Sequence, residues 1–489
     1  MNRYRWRVGL LAVTLLLPGC SKPDWQKEVE KLDYETRLQR KYVNTFAYNV
    51  LDSYYLWKTE IQSQLDAWQN WEEPIQKVAD IRYKDASGKD IDRWTMVTDD
   101  YSSLHGGVSG HTRSLGMDFL LYYTDQTHKK ICAVVTYTYD YSPAHLAGLK
   151  RGDVILTVDG KEMTPDNYRE IVRDGLLGGG TVKLGLKGGK SVTVTAQDLY
   201  EDPVQKVTIL ENGAGKKVGY LHYTSFTLDS CNDLVSVFRQ FVDEGIDELV
   251  LDLRYNGGGY VITEEVLASM LAPRSVVEAG SVLSRQVYNA ELAKEMKDEP
   301  SQFKTSFTFR NQGMPQFVST TGANPDLPRL FVLVTESSAS ASESLVCCLR
   351  PYMDVILIGG KTAGKFCAGF LMEAKDWYEE VKDSLEEGEY EKALPYVDNW
   401  GIYVMYSRYA DCNGDTISMP DGIAADIKAE DDPLDGYGLG DPDETMLSAA
   451  LRIIEGRTRA PEPPSPPRLV PVDGNPHPRT SGVLVGQYH

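Results

Sequence analysis

Three hydrophobic patterns divide the chain. Over residues 24–100 apolar side chains recur at helical spacing, and "VNTFAYNVLDSYYLWKTEIQSQLDAW" places Phe46, Val50, Leu51, Tyr54 and Leu56 near one face. Aromatic residues at that spacing read as core rather than as a ligand site. "ASGKD", residues 86–90, reads as a turn. From about 110 to 200 the apolar runs shorten into β-rich pieces ("MDFLLYYT", "KICAVVTYTY", "DVILTVDG", "TVKLGLKGGKSVTVTA"), with one helical stretch, "TPDNYREIVRDG". From 202 onward strands and helices alternate. "KKVGYLHYTSF", "IDELVLDLRYNGGG", "RLFVLVT" and "DVILIGG" read as strands; "CNDLVSVFRQFVDEG", "ITEEVLASMLA" and "SESLVCCLRPY" read as helices. That alternation predicts an α/β layer fold with a partly parallel sheet. Residues 257–259, 337–344 and 361–365 each lie just past a predicted strand end, where open α/β sheets build their sites.

The chain of 489 residues fits about two to four domains. Its net charge of −20 argues against nucleic acid or other polyanions, which need a basic face. The first residues, "MNRYRWRVGLLAVTLLLPGC", carry Arg3, Arg5 and Arg7 ahead of a short apolar run over 8–17. That run is too short to span a bilayer and suits a signal peptide, and no other segment reaches the roughly 18 apolar residues of a membrane helix. Six further cysteines, Cys132, Cys231, Cys347, Cys348, Cys367 and Cys412, form no CxxC and no Cys/His cluster with metal spacing, so they read as buried thiols and no metal is expected. The end of the chain has eight prolines over residues 461–478 and reads as extended or disordered.

The chemistry gathers at "ESSASASESLVCC", residues 336–348, with five serines over 337–344. A serine becomes a nucleophile only beside a base and an oxyanion site. The chain has seven histidines, and only His222 falls inside the α/β region, within a predicted strand. A lysine serves as base if burial draws its pKa from about 10.4 towards 7–8. "VILIGGKTAGKF" offers Lys361 and Lys365. Residues 359–365 also match the GxxxxGK of a phosphate loop, but Phe366 stands where Ser or Thr would hold Mg²⁺. No nucleotide or other cofactor is expected.

These residues resemble known families. "LPGC" at 17–20 is similar to a bacterial lipobox, which implies cleavage before Cys20 and lipidation of its thiol. Residues 142–163, "SPAHLAGLKRGDVILTVDGKEM", resemble a PDZ domain. Leu115, Gly116, Met117, Asp118 and Phe119 then stand where PDZ domains keep a carboxylate-binding loop and an edge strand, which implies a peptide partner added as a strand. "SSASASE", followed by a lysine 25 residues beyond Ser340, resembles the carboxyl-terminal processing (tail-specific) protease family. The resemblance implies Ser340 as nucleophile, Lys365 as base, and an oxyanion pocket made by the amides of Ala341 and of Gly257 or Gly258 in "LDLRYNGGG". "MPDGIAADI", 419–427, matches a further family strand with Ala425 where Pro is usual. One departure stands out. Family members commonly place Gln, which often orients the lysine amine, where this chain has Gly369. Glu343 is the candidate supporting carboxylate.

The expected fold class is thus α/β multidomain, with an N-terminal helical region, a PDZ-like β domain and an α/β peptidase core resembling the tail-specific protease fold. Expected boundaries are a signal peptide at 1–19, a helical domain at 20–105, a PDZ-like domain at 106–201, a Ser/Lys peptidase domain at 202–456 and a tail at 457–489. The expected function is a serine peptidase acting on unstructured or C-terminal polypeptide. The alternative is an inactive scaffold that binds peptides, motivated by the lost Gln. The expected location is the bacterial cell envelope, tethered by lipid on Cys20, and the lack of Asp after Cys20 favours the outer membrane. The acidic stretch after Phe366, up to Trp400, reads as a surface insertion.

Overall fold

The computed structural model describes residues 31–124, 127–213, 215–296, 300–417, 419–456 and 469–472. Its centre is a six-stranded sheet. An antiparallel hairpin, Val204–Glu211 with Lys217–Tyr223, is followed by the parallel strands Glu248–Asp252, Arg329–Val334, Asp354–Gly359 and Ile427–Lys428. Strands covered on both faces must be apolar on both, and alternate residues serve the two layers. Leu221, Leu249, Leu251, Val332 and Leu357 pack with the helices Cys231–Glu244, Val261–Leu271 and Ala341–Leu349. Val218, Tyr220, Val250, Phe331 and Leu333 face Met446, Leu447 and Ala450 of the helix Thr445–Ile454.

A second sheet is built around Gly401–Ala410, which pairs antiparallel with Cys367–Glu373, Val282–Tyr288 and Met96–Thr98. Its side chains join the same apolar cluster as the helix Tyr34–Tyr54 and the central sheet. The expected helical face is buried, including Phe46, Val50, Leu51 and Tyr54. It closes over the α/β core, however, and the described part of 20–105 has no core of its own. The acidic stretch is likewise not a surface insertion. Its helices Ala374–Val381 and Glu389–Val397 bury Trp377, Tyr378, Val381, Ala393 and Val397, and the Tyr378 hydroxyl donates to the Tyr42 carbonyl at 2.9 Å. Their acidic residues occupy the outer face of an amphipathic pair that covers the N-terminal helix.

The PDZ-like unit has a separate core, in which Phe119, Leu121, Ala133, Val135, Ile155, Leu184 and Ile171 are buried together. Its strands run in the order Val470–Pro471, Met117–Tyr123, Ile131–Thr138, Val154–Val158, Thr181–Leu186 and Ser191–Thr195. The first of these shows that, of the two expected states of the tail, residues 469–472 take the extended one, as an edge strand. The rest of 457–489, like residues 1–30, lies outside the described residues. Among the described residues no helix is long and apolar enough to cross a membrane.

Arg151, from the turn between helix and strand in the PDZ unit, reaches into the α/β core. It donates to Asp431 at 2.7 Å and to the Tyr255 hydroxyl at 2.7 Å. Beside it Arg254 is wholly buried and bonds Asp252, Asp431 and Glu444 at 2.6–3.0 Å. Burial works against the Arg254 charge, but Asp252 and Glu444 outweigh it. Burial also opposes ionisation of Asp431, yet Arg151 and Arg254 bring it down to about 2. A buried cation without such partners would be severely destabilising, so this cluster fixes how the PDZ unit sits on the core.

Candidate active site

Ser340 stands between the strand Arg329–Val334 and the helix Ala341–Leu349, on a sharp turn with φ 63° and ψ −114°. Positive φ is rare for a residue with a Cβ and is retained only where the surroundings enforce it. The glycine loop after Glu248–Asp252 supplies that enforcement. A Cβ on Gly258, whose φ is +108°, would meet the Ser340 Cβ at 2.7 Å and the Ala341 nitrogen at 3.1 Å, so the two loops touch only because this position is glycine. Asn256 joins them. Its carbonyl accepts from the Ala339 N–H at 3.0 Å and the Ser342 hydroxyl at 2.9 Å, while its side-chain amide donates to the Tyr223 carbonyl at 3.0 Å. The Gly258 N–H donates to Asn256 Oδ1 at 2.8 Å. Of the two glycines expected at the oxyanion pocket, Gly258 thus has its N–H engaged by Asn256.

Glu343 is wholly buried and binds main chain rather than the lysine amine. Its carboxylate accepts from the N–H groups of Ser340 (3.0 Å), Lys365 (2.8 Å) and Gly364 (2.8 Å), and from the Thr362 hydroxyl (2.5 Å). Burial raises its pKa while these four donors pull it back. One carboxylate thus clamps the serine loop to the lysine loop, and the reading of Glu343 as orienter of the amine gives way to that role. Segment 419–427 supports the clamp from behind. The Ile423 N–H donates to the Thr362 hydroxyl at 2.7 Å, and the Thr362 N–H to the Ile423 carbonyl at 3.0 Å.

Lys365 is 0% exposed, whereas Lys361 lies at the surface. Burial draws the Lys365 amine down to about 8, against the pull of Cys367, Asp92 and Glu343. The neighbouring Cys367 thiol is itself pushed up to about 12 by burial and is neutral beside it. The amine sits 5.6 Å from the Trp94 ring centre and 5.1 Å from that of Tyr403, and donates to the Tyr403 hydroxyl at 2.9 Å. Tyr403 answers the question raised by Gly369. A Cβ on Gly369 would fall 2.5 Å from the Tyr403 ring and 2.4 Å from the Met405 methyl. Any larger side chain there would displace the tyrosine, so glycine leaves the space in which Tyr403 reaches the amine from the neighbouring strand.

Among the described residues the buried Ser340 Oγ bonds no other side chain, and Ser340 is 1% exposed. The strand Cys367–Glu373 follows the lysine loop directly, where a phosphate loop would need a helix. His222 is buried in its strand between Tyr137 and Tyr255 and drawn down to about 4 by burial, which makes it a structural group. Cys20 lies outside the described residues. In the PDZ unit, Leu115, Met117 and Phe119 are core residues, and buried Asp118 accepts from the Thr136 hydroxyl at 2.8 Å. The Gly116 N–H donates to Ser114 Oγ at 3.1 Å, so it does not face an incoming carboxylate.

Comparison with known proteins agrees with this architecture. Residues 217–429 match the profile of peptidase family S41, and residues 134–177 that of the PDZ domain. The chain carries a peptidase family S41 domain and a PDZ domain. The carboxyl-terminal-processing protease of Picosynechococcus is 29% identical over 239 residues, which are 48% of this chain and 51% of that protein. A probable CtpA-like serine protease of Staphylococcus haemolyticus is 27% identical over 287 residues, 58% of this chain and 50% of that one. The chain thus spans about half the length of the curated relatives it matches. In fold, a putative S41 protease from Bacteroides fragilis superposes with a TM-score of 0.61 at 24% identity, covering 84% of this chain and 97% of that one. Ser340, Lys365 and the clamp Glu343 all fall within the S41 domain.

Sequence reasoning missed Tyr403, Trp94 and Arg93, whose guanidinium donates to the Ala363 carbonyl at 2.9 Å. Their distance along the chain from Lys365 hides them. The one local signal was Gly369, an unexplained small residue four positions after a buried lysine.

Proposed function

We propose that this protein is a serine endopeptidase in which Ser340 is the nucleophile and Lys365 its general base. One observation carries the reading: a wholly buried lysine, held at about 8 and hydrogen-bonded to no carboxylate, lies on the loop that Glu343 clamps to the backbone of Ser340. At neutral pH about a tenth of such amines are uncharged. A neutral amine has two N–H donors and one lone pair. Tyr403 accepts one N–H, which aims the rest of the amine. As Ser340 attacks a peptide carbonyl, the lone pair takes the Oγ proton, and the developing oxyanion is received by the amides of Ala341 and Gly257. Lys365 returns the proton to the leaving amine, and water then cleaves the acyl-enzyme.

The substrates proposed are unstructured or C-terminal stretches of exported polypeptides, docked by the PDZ domain, with the enzyme tethered to the bacterial envelope, at the outer membrane, by lipid on Cys20. The test is cleavage of casein, an unstructured polypeptide. Wild type should cleave it, and Ser340→Ala and Lys365→Ala should each lose at least about a thousandfold in rate. Cleavage that survives Ser340→Ala would refute the assignment.

A further inference from the structure

The last described residues of the chain lie on the PDZ sheet as an added strand. Val470–Pro471 pairs antiparallel with the outer edge of Met117–Tyr123, Val470 opposite Tyr123 and Pro471 opposite Tyr122. The Val472 N–H then donates to the Leu121 carbonyl at 3.1 Å. Proline suits this place, because an outermost strand has no further neighbour to which it must donate.

Two apolar anchors hold the segment, one on each face of the sheet. Val472 is 5% exposed and shares a cluster with Phe119, Leu121, Ile171 and Val172, between the edge strand and the helix Tyr168–Ile171. Leu469 packs on the other face with Tyr122, Val134 and Leu434. Val470 and Pro471 between them are exposed. The segment runs towards Gly116, whose N–H is committed to Ser114 and whose carbonyl accepts from Ser142 Oγ at 2.7 Å and the Tyr139 N–H at 3.0 Å. An edge followed by a loop closed in this way suits a segment passing along it better than a terminal carboxylate.

We propose that residues 469–472 are a built-in ligand of the PDZ edge and compete, within the same chain, with any polypeptide that docks there as a strand. Main-chain pairing supplies affinity in this mode and alternate side chains supply selectivity. Here the selective positions are those filled by Leu469 and Val472. Because the segment is covalently attached, it acts at an effective concentration on the order of millimolar. An external polypeptide must displace it before using the edge.

The test adds a fluorescent peptide of residues 466–475 to the full chain and reads anisotropy. Val472→Asp and Leu469→Asp, which put a charge where an apolar anchor is buried, should bind the peptide at least about tenfold more tightly than wild type. Val470→Asp, at an exposed position, should bind as wild type does. A chain ending at residue 456 should show the same gain as the anchor variants, which keeps the test open if a substituted chain unfolds; thermal unfolding checks each protein. Equal binding by wild type and the shortened chain, or no binding to the shortened chain, would overturn the proposal. Because the readout is binding, the result does not depend on whether Ser340 and Lys365 perform catalysis.

Discussion

Two sites in this protein bury positive charge, and they treat it in opposite ways. At the junction of the PDZ and S41 domains, Arg151 and Arg254 meet Asp252, Asp431 and Glu444 at hydrogen-bond distance and stay charged. At the serine loop, Lys365 is as deeply buried but its hydrogen-bond partner is the neutral Tyr403 hydroxyl, and burial brings the amine to about 8. Of the carboxylates that pull on the amine, Glu343 is saturated by backbone N–H groups and a hydroxyl, and Asp92 accepts from the Tyr55 hydroxyl and the N–H groups of Trp94 and Thr95. Burial alone therefore does not decide charge; the partners do. The arginine cluster is built to hold two domains in register, and the lysine pocket leaves an amine ready to lose its proton near neutral pH.

The comparison can be broken first at the arginine cluster. Arg254→Met leaves three carboxylates without their central cation and should destabilise the chain by about 3–5 kcal/mol in chemical denaturation. Loss below about 1 kcal/mol would mean that the cluster does not order the junction.

Lys365→Met should do the reverse. The lysine has a lowered pKa in the folded state, so its burial cost is complete below pH 8 and relieved as pH rises from about 8 to the unfolded value near 10.4. Replacing it should abolish turnover yet raise stability by about 3 kcal/mol at neutral pH, a gain that shrinks as pH rises above 8. Asp431 sets the opposite limb. Its contribution is present above its unfolded value of about 3.9 and is lost as pH falls towards about 2.

The smallest effect concerns orientation. Tyr403→Phe removes the acceptor that aims the amine and should lower kcat about tenfold, with KM little changed. Because an acceptor favours the ammonium, its loss should also move the pH–rate limb to lower pH. An unchanged limb with normal kcat would reduce Tyr403 to packing.

How much of this could be read from the sequence follows from how local each signal is. The loops at 257–259, 337–344 and 361–365 sit just past apolar strands, so periodicity located them, while the choice of Ser340 and Lys365 within them rested on the resemblance to the tail-specific protease family. Glu343 was found by its position, but a sequence does not say whether a carboxylate meets an amine or main-chain N–H groups. Tyr403, Trp94 and Arg151 come from distant segments and carry no motif, so folding alone brings them to their places. The helix at 34–54 showed its apolar face without showing that it covers the α/β core, while the acidic residues of 374–397 masked the apolar face that packs on that helix. The apolar positions Leu469 and Val472 were hidden by the prolines around them, which suggested an extended tail and concealed an edge strand.

The pH dependence of kcat/KM for casein, measured on wild type, Lys361→Ala and Lys365→Ala, tests the central claim most directly. Wild type and Lys361→Ala should share a rate that rises with pH along one limb centred near 8, and Lys365→Ala should show no such limb because it has no activity. A flat wild-type profile between about pH 6 and 9, or loss of activity in Lys361→Ala with Lys365→Ala still active, would contradict the assignment of Lys365 as the base.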